Sequence, residues 1–495
     1  MRRHINLLLI LALALGTIAA TNPIHFFSDL VGARAHEHKS ERLTAAQAGV
    51  PTQRLSDVAC VDGQAGPFAC SGVDLASFVP LDEIRGDETL APLGGGLSDI
   101  WGWTDSETGD EYVIFGKTNG TAFFRVTDAS NPVYLGEIPN HSPAQLIWHD
   151  IKIFKDHAFI VSESVGHGMK VFDLTRLRGV TEQQDWLEDF NYPTGFSAHN
   201  IAINTESGYA YLVGGNNGLA APDQCRSGLH MVDINNPTLP VFAGCHAMGE
   251  GPGTGGGLVT DEPIVASYVH DTQCVIYRGP DADYFEHELC INSSERHMSV
   301  VDVTDKLAPV QISKLSYDKV AYSHQGWFTE DQKYFLMGDE GDETSHGTNT
   351  RTLIFDMTDL DAPVLTGAHE ATTKSIDHNL YIKNGLVYHS NYTAGLRVND
   401  TDRLAEGVLE ERAFFDTFPA NDNPTFNGTW SNYPYFESGT IAETGTDEGL
   451  FLLKVQPEVL EAYETPTVEA PEEEPTLPEL PEQAQGRRRG PKANQ

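Results

Sequence analysis

Seven short predicted strands along the chain each open on a two-residue polar head, and this recurrence limits the fold more than any other feature. Successive heads lie 51, 50, 71, 54, 54 and 53 residues apart, a period typical of a modular all-β array. The first residue of the head is histidine in five copies and serine in two. The heads are Ser98-Asp99, His149-Asp150, His199-Asn200, His270-Asp271, His324-Gln325, His378-Asn379 and Ser431-Asn432.

The repeats share a pattern of four predicted strands, which is complete in all but the last. In the second repeat HDIKIF is followed by the apolar strand HAFIVSES, a glycine turn and the strand MKVFDL, and fourth strands in other repeats begin near a proline. Four strands per repeat are typical of a propeller blade. The sequence therefore predicts an all-β, seven-bladed β-propeller over residues 60–456.

The last repeat lacks a fourth strand, because the pattern stops after the strand at 450–455. A strand-like segment, LASFVPLDEI at 75–84, stands unassigned before the first repeat. We predict that this N-terminal strand completes the last blade and closes the ring, which leaves no bare sheet edge at the junction.

The two ends of the chain do not share the repeat. Residues 1–20 are typical of a secretory signal peptide, with a retained anchor as the alternative, since the apolar run is shorter than the ~18 residues that a membrane helix needs. No other segment is predicted to span a membrane. Residues 21–59 are predicted to be loop-like with a short helix near 40–48, and the acidic, proline-rich tail at 457–495 is predicted to be disordered.

Charge and cysteine content indicate the compartment and disfavour some partners. The chain has 71 acidic and 32 basic residues, a net charge of −39, so we do not expect unassisted binding to nucleic acid or to anionic lipid, which both need cationic patches. Six cysteines behind a signal peptide favour structural disulfides in an oxidising compartment. Local pairing predicts Cys60–Cys70, Cys225–Cys245 and Cys274–Cys290, although six cysteines allow 15 connectivities.

Several long segments resemble the choice-of-anchor B family, whose repeats are of the LVIVD type. They include CVDGQAGPFAC, NGTAFFRVTD, HDTQCVIYRGPDADY, DHNLYIKNGLVYHSNYTAGLR and WSNYPYF, and the resemblance runs from about Cys60 to Val455. It implies a secreted or surface-displayed propeller without an established activity. The chain departs from the family after Val455, where no apolar helix or sorting motif follows, so we expect a secreted protein, with cell-surface and periplasmic locations left open.

Histidines at five consecutive heads are the candidate site. The first strand of each propeller blade lines the central channel, so these positions form an arc around the axis. Since successive strand residues point to opposite sides, we expect either the histidines or their partners to face the channel. Neutral imidazoles suit zinc, iron or copper, and three or four of these five would bind one such ion: His149, His199, His270, His324 and His378.

The second head residue is polar in every repeat, which favours a structural role in which the side chains satisfy buried backbone groups across blade boundaries. The histidines have the same alternative role. The predicted structural ring consists of Asp99, Asp150, Asn200, Asp271, Gln325, Asn379 and Asn432.

A separate cluster of acidic residues contains Asp339, Glu340, Asp342 and Glu343, with His346 nearby. It could bind calcium through its oxygens. Its spacing matches no EF-hand loop, so a solvated hairpin is the favoured interpretation.

No hydrolase elbow, zinc-protease helix, P-loop or dinucleotide fingerprint is present, so no catalytic residue is predicted. We expect an extracellular binding module for a protein, glycan or small molecule. The alternative is a metal-dependent enzyme with its ion at the histidine arc.

Overall fold

The computed structural model describes residues 43–84, 96–140, 146–164, 166–192, 197–215, 225, 228–247 and 268–461. The predicted signal peptide, most of the 21–59 extension and residues 462–495 of the predicted disordered tail lie outside the described residues. No helix in the part of the chain that the structure describes is long and apolar enough to span a bilayer.

The described chain forms a seven-bladed β-propeller, as the repeat predicts. Blades 1 to 3 contain β5 (Leu97–Thr104), β6 (Glu111–Lys117), β7 (Gly120–Arg125) and β8 (Val133–Pro139); β9 (His149–Phe154), β10 (His157–Ser162), β11 (Met169–Asp173) and β13 (Phe190–Tyr192); and β14 (Asn200–Asn204), β15 (Tyr209–Val213), β16 (Leu229–Asp233) and β17 (Val241–His246).

Blades 4 to 6 repeat the same antiparallel order. They contain β18 (Asp271–Ile276), β19 (Glu288–Ser293), β20 (Met298–Asp302) and β21 (Val310–Leu315); β22 (Ser323–Phe328), β23 (Tyr334–Asp339), β24 (Arg351–Asp356) and β25 (Val364–Glu370); and β26 (Leu380–Lys383), β27 (Leu386–Asn391), β28 (Gly395–Asp400) and β29 (Glu410–Phe415).

Blade 7 confirms the predicted closure by the N-terminal strand. It contains β30 (Thr429–Tyr433), β31 (Thr440–Gly445) and β32 (Gly449–Val455), and β4 (Val73–Pro80) pairs with β32 as the fourth strand. Phe78 of β4 is fully buried, and its ring centroid lies 4.7 Å from that of Phe451. The ends of the propeller are thus joined by backbone hydrogen bonds and by an aromatic core.

Short elements add to the blades, and two of them, a strand and a helix, lie before the predicted start at Cys60. β1 (Leu55–Val58) pairs with β4, β2 (Gln64–Ala65) and β3 (Phe68–Ser71) extend blade 6, and β12 (Gln184–Asp185) adds to blade 1. The α-helices are α1 (Ala45–Ala48), α2 (Leu81–Ile84), α3 (Asp342–His346) and α4 (Pro457–Leu460), and the 3₁₀ helices are Leu174–Leu177, Ala282–Tyr284, Tyr392–Ala394 and Leu404–Glu406. The start of the predicted disordered tail is therefore helical.

The structure contains the three disulfide bonds that local pairing predicts, Cys60–Cys70, Cys225–Cys245 and Cys274–Cys290. Cys274 and Cys290 are direct partners on the neighbouring strands β18 and β19. Three such bonds indicate an oxidising environment for the folded protein.

Candidate functional site

The five head histidines reach one small cavity at the axis. His149 begins β9, His199 and His270 immediately precede β14 and β18, His324 lies in β22, and His378 comes shortly before β26. All five line a cavity of about 10 Å³, which has room for about one water molecule or ion. The other residues around this cavity are Trp148, Asn200, Asn379 and Trp430.

Four of the imidazoles stack in blade order around the axis. Ring centroids are 4.3 Å apart for His199 and His270, 4.1 Å for His270 and His324, and 4.3 Å for His324 and His378. His149 instead contacts the ring of His167, with centroids 5.6 Å apart. The arc is therefore continuous over blades 3 to 6.

Backbone carbonyls determine which ring nitrogen carries the proton in three of these histidines. Nδ1 lies 3.1 Å from Ile147 O in His149 and 2.9 Å from His324 O in His270, and in His378 it contacts Trp430 O. A carbonyl oxygen only accepts, so each Nδ1 is the donor and each Nε2 keeps its lone pair. Metal-bound histidines use the same arrangement.

Two glutamates that the sequence does not assign to the arc lie against it. Glu163 directly follows β10, and its Oε1 is 2.7 Å from Nδ1 of His199. Glu340 directly follows β23; its Oε2 lies 3.6 Å from Nε2 of His324, and its Oε1 lies 3.6 Å from Nε2 of His378. Both glutamates therefore occupy the end of a second strand and face a histidine of the next blade. Repeats two and five both have an acidic residue directly after the second strand, and this shared position is the sequence signal that could have predicted the two glutamates.

Three of these groups form one candidate metal site. Ligand atoms of His324, His378 and Glu340 all lie within 4.8 Å of one another. The hydroxyl of Tyr392 donates a hydrogen bond of 2.8 Å to Glu340 Oε1 and orients the carboxylate. The structure thus brings two of the five predicted histidines into a common ligand group and adds a carboxylate, while all five share the cavity.

Burial controls the protonation of the cluster. It lowers the pKa of His378 to about 4 and, together with the neighbouring imidazoles, holds the pKa values of His270 and His324 well below their usual range. Burial alone would lower the pKa of His199 too, but its hydrogen bond to Glu163 and that charge raise it. Burial raises the pKa of Glu340 to about 7. Most rings are therefore neutral at pH 7, the form that binds metals.

The second residues of the seven heads form the second row, and the histidines and serines before them form the first row. Side chains of the second row make hydrogen bonds that cross blade boundaries. Ile201 N donates to Asp150 Oδ2 (2.8 Å), Asn200 Nδ2 to His270 O (3.0 Å), Leu380 N to Gln325 Oε1 (2.9 Å), Gln325 Nε2 to Leu380 O (3.1 Å), Asn379 Nδ2 to Ser431 Oγ (3.0 Å) and Asn432 Nδ2 to Ser390 Oγ (2.8 Å). Because Asn200 and Asn379 line the same cavity as the histidines, both rows reach the axis, which differs from the expectation that only one would.

Asp99 and Asp150 in this second row contact the side chain of Lys152, which is 11% exposed. Lys152 Nζ lies 3.4 Å from Asp99 Oδ2, contacts Asp150 Oδ1, and stands 4.6 Å above the ring of Trp101. Burial raises the pKa of Asp271 to about 7, although Lys152 opposes this shift. The axis therefore contains a charged layer beside the histidine cavity.

The acidic cluster from Asp339 to Glu343 is not a solvated hairpin, so the favoured interpretation of this segment is wrong. Asp339 and Asp342 are fully buried and Glu343 is 3% exposed. Asp339 accepts hydrogen bonds from the backbone N–H groups of Ala321 and Tyr322 at 2.8 and 2.7 Å, and these hold it inside the blade. His346, at the end of α3, is exposed.

Comparison with solved structures identifies distant structural similarity. No family model and no curated protein matches the chain. The β-propeller domain of Myceliophteria thermophila Cps50 (Swd1) matches with a TM-score of 0.42 at 11% identity, covering 70% of this chain and 93% of that one. The computationally designed Ika8 protein matches with a TM-score of 0.40 at 9% identity, covering 72% and 83%.

Proposed function

We propose that this protein is a secreted binding module whose axial site holds a divalent transition metal ion, zinc, iron or copper, through His324, His378 and Glu340. The observation that supports this is the group of two buried imidazoles and one partly buried carboxylate at the axis. The ligand of the metal-loaded module would be an extracellular protein, glycan or small molecule. Calcium is a poorer match for this site because it prefers oxygen ligands only.

The distances support a transition metal. Nε2 of each histidine is 3.6 Å from a Glu340 oxygen. Two ligands placed about 2.0–2.1 Å from a tetrahedral zinc ion are separated by about 3.3 Å. A shift of a few tenths of an ångström therefore brings both pairs to binding geometry.

The family and the location are part of the proposal. The long segments between Cys60 and Val455 that resemble choice-of-anchor B proteins support a secreted or surface-associated protein. The three disulfide bonds agree with an oxidising compartment.

Metal analysis tests the axial site directly. Protein purified without a histidine tag should contain about one equivalent of a transition metal, or take it up on reconstitution, when measured by elemental analysis. His378→Ala and Glu340→Gln should each weaken binding by at least about 100-fold, which exceeds the usual effect of losing an outer-shell partner. Absence of metal after reconstitution contradicts the proposal.

His246→Ala is the matched control. His246 is also buried and its Nε2 has no hydrogen-bond partner, but it lies in β17, the outer strand of blade 3. The control should keep the wild-type metal content. Equal loss in the control and in His378→Ala would place the metal elsewhere.

A metal-dependent enzyme is the second candidate, and the ligand set favours it specifically. Two histidines and one carboxylate are the protein ligands of non-haem iron oxygenases, which leave coordination positions open. If the bound metal is iron, the reduced protein should consume dioxygen with a substrate, and His378→Ala should abolish that consumption. A zinc-loaded protein without turnover supports the binding module instead.

A further inference from the structure

Three carboxylates from blades 5 and 6 meet in a second buried cluster. One oxygen each of Asp342, Glu343 and Asp377 lies within 4.8 Å of the others. Their exposed fractions are 0%, 3% and 4%. The group therefore differs from the exposed group of Asp281, Asp359 and Asp361, which surface acids form without a ligand.

The fold brings these residues together from two separate segments. Asp342 and Glu343 lie in α3, between the second and third strands of blade 5, whereas Asp377 belongs to the link that leads into blade 6. Gly338 makes room for Asp377, since an added Cβ at position 338 would lie 1.8 Å from Asp377 Oδ2. The helix that carries Asp342 and Glu343 and the later link that carries Asp377 thus meet at one point.

Among the described residues, Asp342 is the one carboxylate of the three that a basic side chain contacts. Asp342 receives hydrogen bonds from Arg351 Nε at 2.6 Å and from Thr348 Oγ1 at 2.7 Å. Both oxygens of Glu343 and both oxygens of Asp377 are buried without a hydrogen-bond donor. Buried carboxylates in this state are strongly disfavoured unless a cation or a proton joins them.

We propose that Asp342, Glu343 and Asp377 form a calcium site, distinct from the histidine site at the axis. The group offers oxygen atoms only, which suits a hard cation, while the axial group offers nitrogen. One divalent cation would neutralise Glu343 and Asp377, neither of which forms an ion pair with a basic side chain among the described residues. A proton shared between these two side chains is the competing explanation.

The calcium site adjoins the axial site along the chain. Asp377 immediately precedes His378, and Glu340 comes two residues before Asp342. A bound calcium ion would hold both segments that carry axial ligands. The calcium proposal itself does not depend on the axial metal, because its ligands are different residues.

Calcium titration of the full chain, stripped of metals, tests the site. Isothermal titration should show one calcium ion per chain with a dissociation constant of about 10⁻⁴–10⁻³ M, the range of extracellular calcium modules. At saturating calcium the midpoint of thermal unfolding should rise by about 2 °C or more. This second measurement needs no variant. Magnesium that binds as tightly as calcium would overturn the assignment.

Variants that remove one carboxylate charge distinguish a bound calcium ion from a proton shared between Glu343 and Asp377. Glu343→Gln and Asp377→Asn should each weaken calcium binding at least tenfold and abolish the calcium-dependent rise in melting temperature. Asp361→Asn, in the exposed acidic group, is the matched control and should keep wild-type calcium affinity. The proposal would be overturned in favour of the shared proton by two results together. The protein would bind no calcium at 10 mM, and the two variants would melt at the same temperature as wild type or higher.

Transition-metal content is measured on the same variants. Glu343→Gln that loses calcium but keeps the axial metal supports two separate sites. Calcium affinity retained in both Glu343→Gln and Asp377→Asn would overturn the calcium site, whatever the axial site contains.

Discussion

The two polar rows at the propeller axis originate from the same two-residue repeat but differ in their hydrogen bonding. In the second row each side chain makes at least one hydrogen bond, and most of these bonds reach the neighbouring blade. Ser98 Oγ, His149 Nε2 and His324 Nδ1 of the first row are buried without a hydrogen-bond partner, and the second row has one such atom among its described side chains, Asn432 Oδ1. Since buried polar groups are normally satisfied, hydrogen bonding within the chain accounts for most of the second row, whereas the first row keeps several buried polar atoms that the chain does not satisfy.

The largest effect is expected from Asp150→Ala in the second row. The variant removes the acceptor of Ile201 N and leaves Lys152 with one fewer carboxylate in a buried site. Asp150 also accepts a hydrogen bond from Ile151 N, so its loss leaves two buried backbone N–H groups unsatisfied and removes one contact of Lys152, at a combined cost of about 3–5 kcal/mol. Chemical denaturation should show a loss of this size in the free energy of unfolding. A loss below about 1 kcal/mol would contradict the structural role of this row.

Gln325→Ala should have the next largest effect. Gln325 both donates to and accepts from the backbone of Leu380 in the next blade, so its loss leaves two buried backbone groups unsatisfied. The expected cost is about 2–3 kcal/mol in unfolding free energy. Axial metal content should not change. A variant that loses metal but keeps its stability would reverse the assignment of the two rows.

Acid should weaken the metal-free fold through the first row. Burial lowers the pKa of His149 to about 4 in the folded state, whereas the unfolded value is about 6.5. The unfolded chain therefore takes up the proton first, and stability falls as the pH drops from about 6.5 to 4. In His149→Leu the slope of unfolding free energy against pH should decrease by up to about 1.4 kcal/mol per unit. An unchanged slope in that variant contradicts burial of a neutral ring.

The smallest effect on stability is expected from His324→Leu. Its Nδ1 has no hydrogen-bond partner, so an apolar side chain removes an unsatisfied group rather than a structural bond. Metal-free protein should unfold within about 1 kcal/mol of wild type or be more stable, while axial metal binding is lost. A cost above about 2 kcal/mol would show that the histidine belongs to the inter-blade lock.

Local sequence patterns were sufficient for much of the fold. The spacing of the heads predicted the blades, and the missing fourth strand of the last repeat predicted its replacement by β4. The histidine arc was also visible, since equivalent strand positions in a propeller share a level around the axis. Glu340 was assigned to the acidic run and not to the arc, and Asp377 was not assigned, because contacts between segments of different blades decide where both side chains lie.

The solvated-hairpin interpretation fails for the same reason. The run from Asp339 to Glu343 has the composition of an exposed loop, yet contacts with Arg351 and with backbone N–H groups bury it. Such contacts join residues from different strands, and the composition of the run does not contain them. Burial of charge depends on which donors the fold places nearby.

The amino-acid sequence by itself determined the number of blades, the closing strand and the two polar rows, because strand periodicity and repeat length are local properties of the chain. Only the tertiary structure decided which ring nitrogens keep a free lone pair, which glutamate joins His324 and His378, and that Asp377 meets Glu343. Those outcomes depend on distances between blades, and such distances are defined only when the ring is closed.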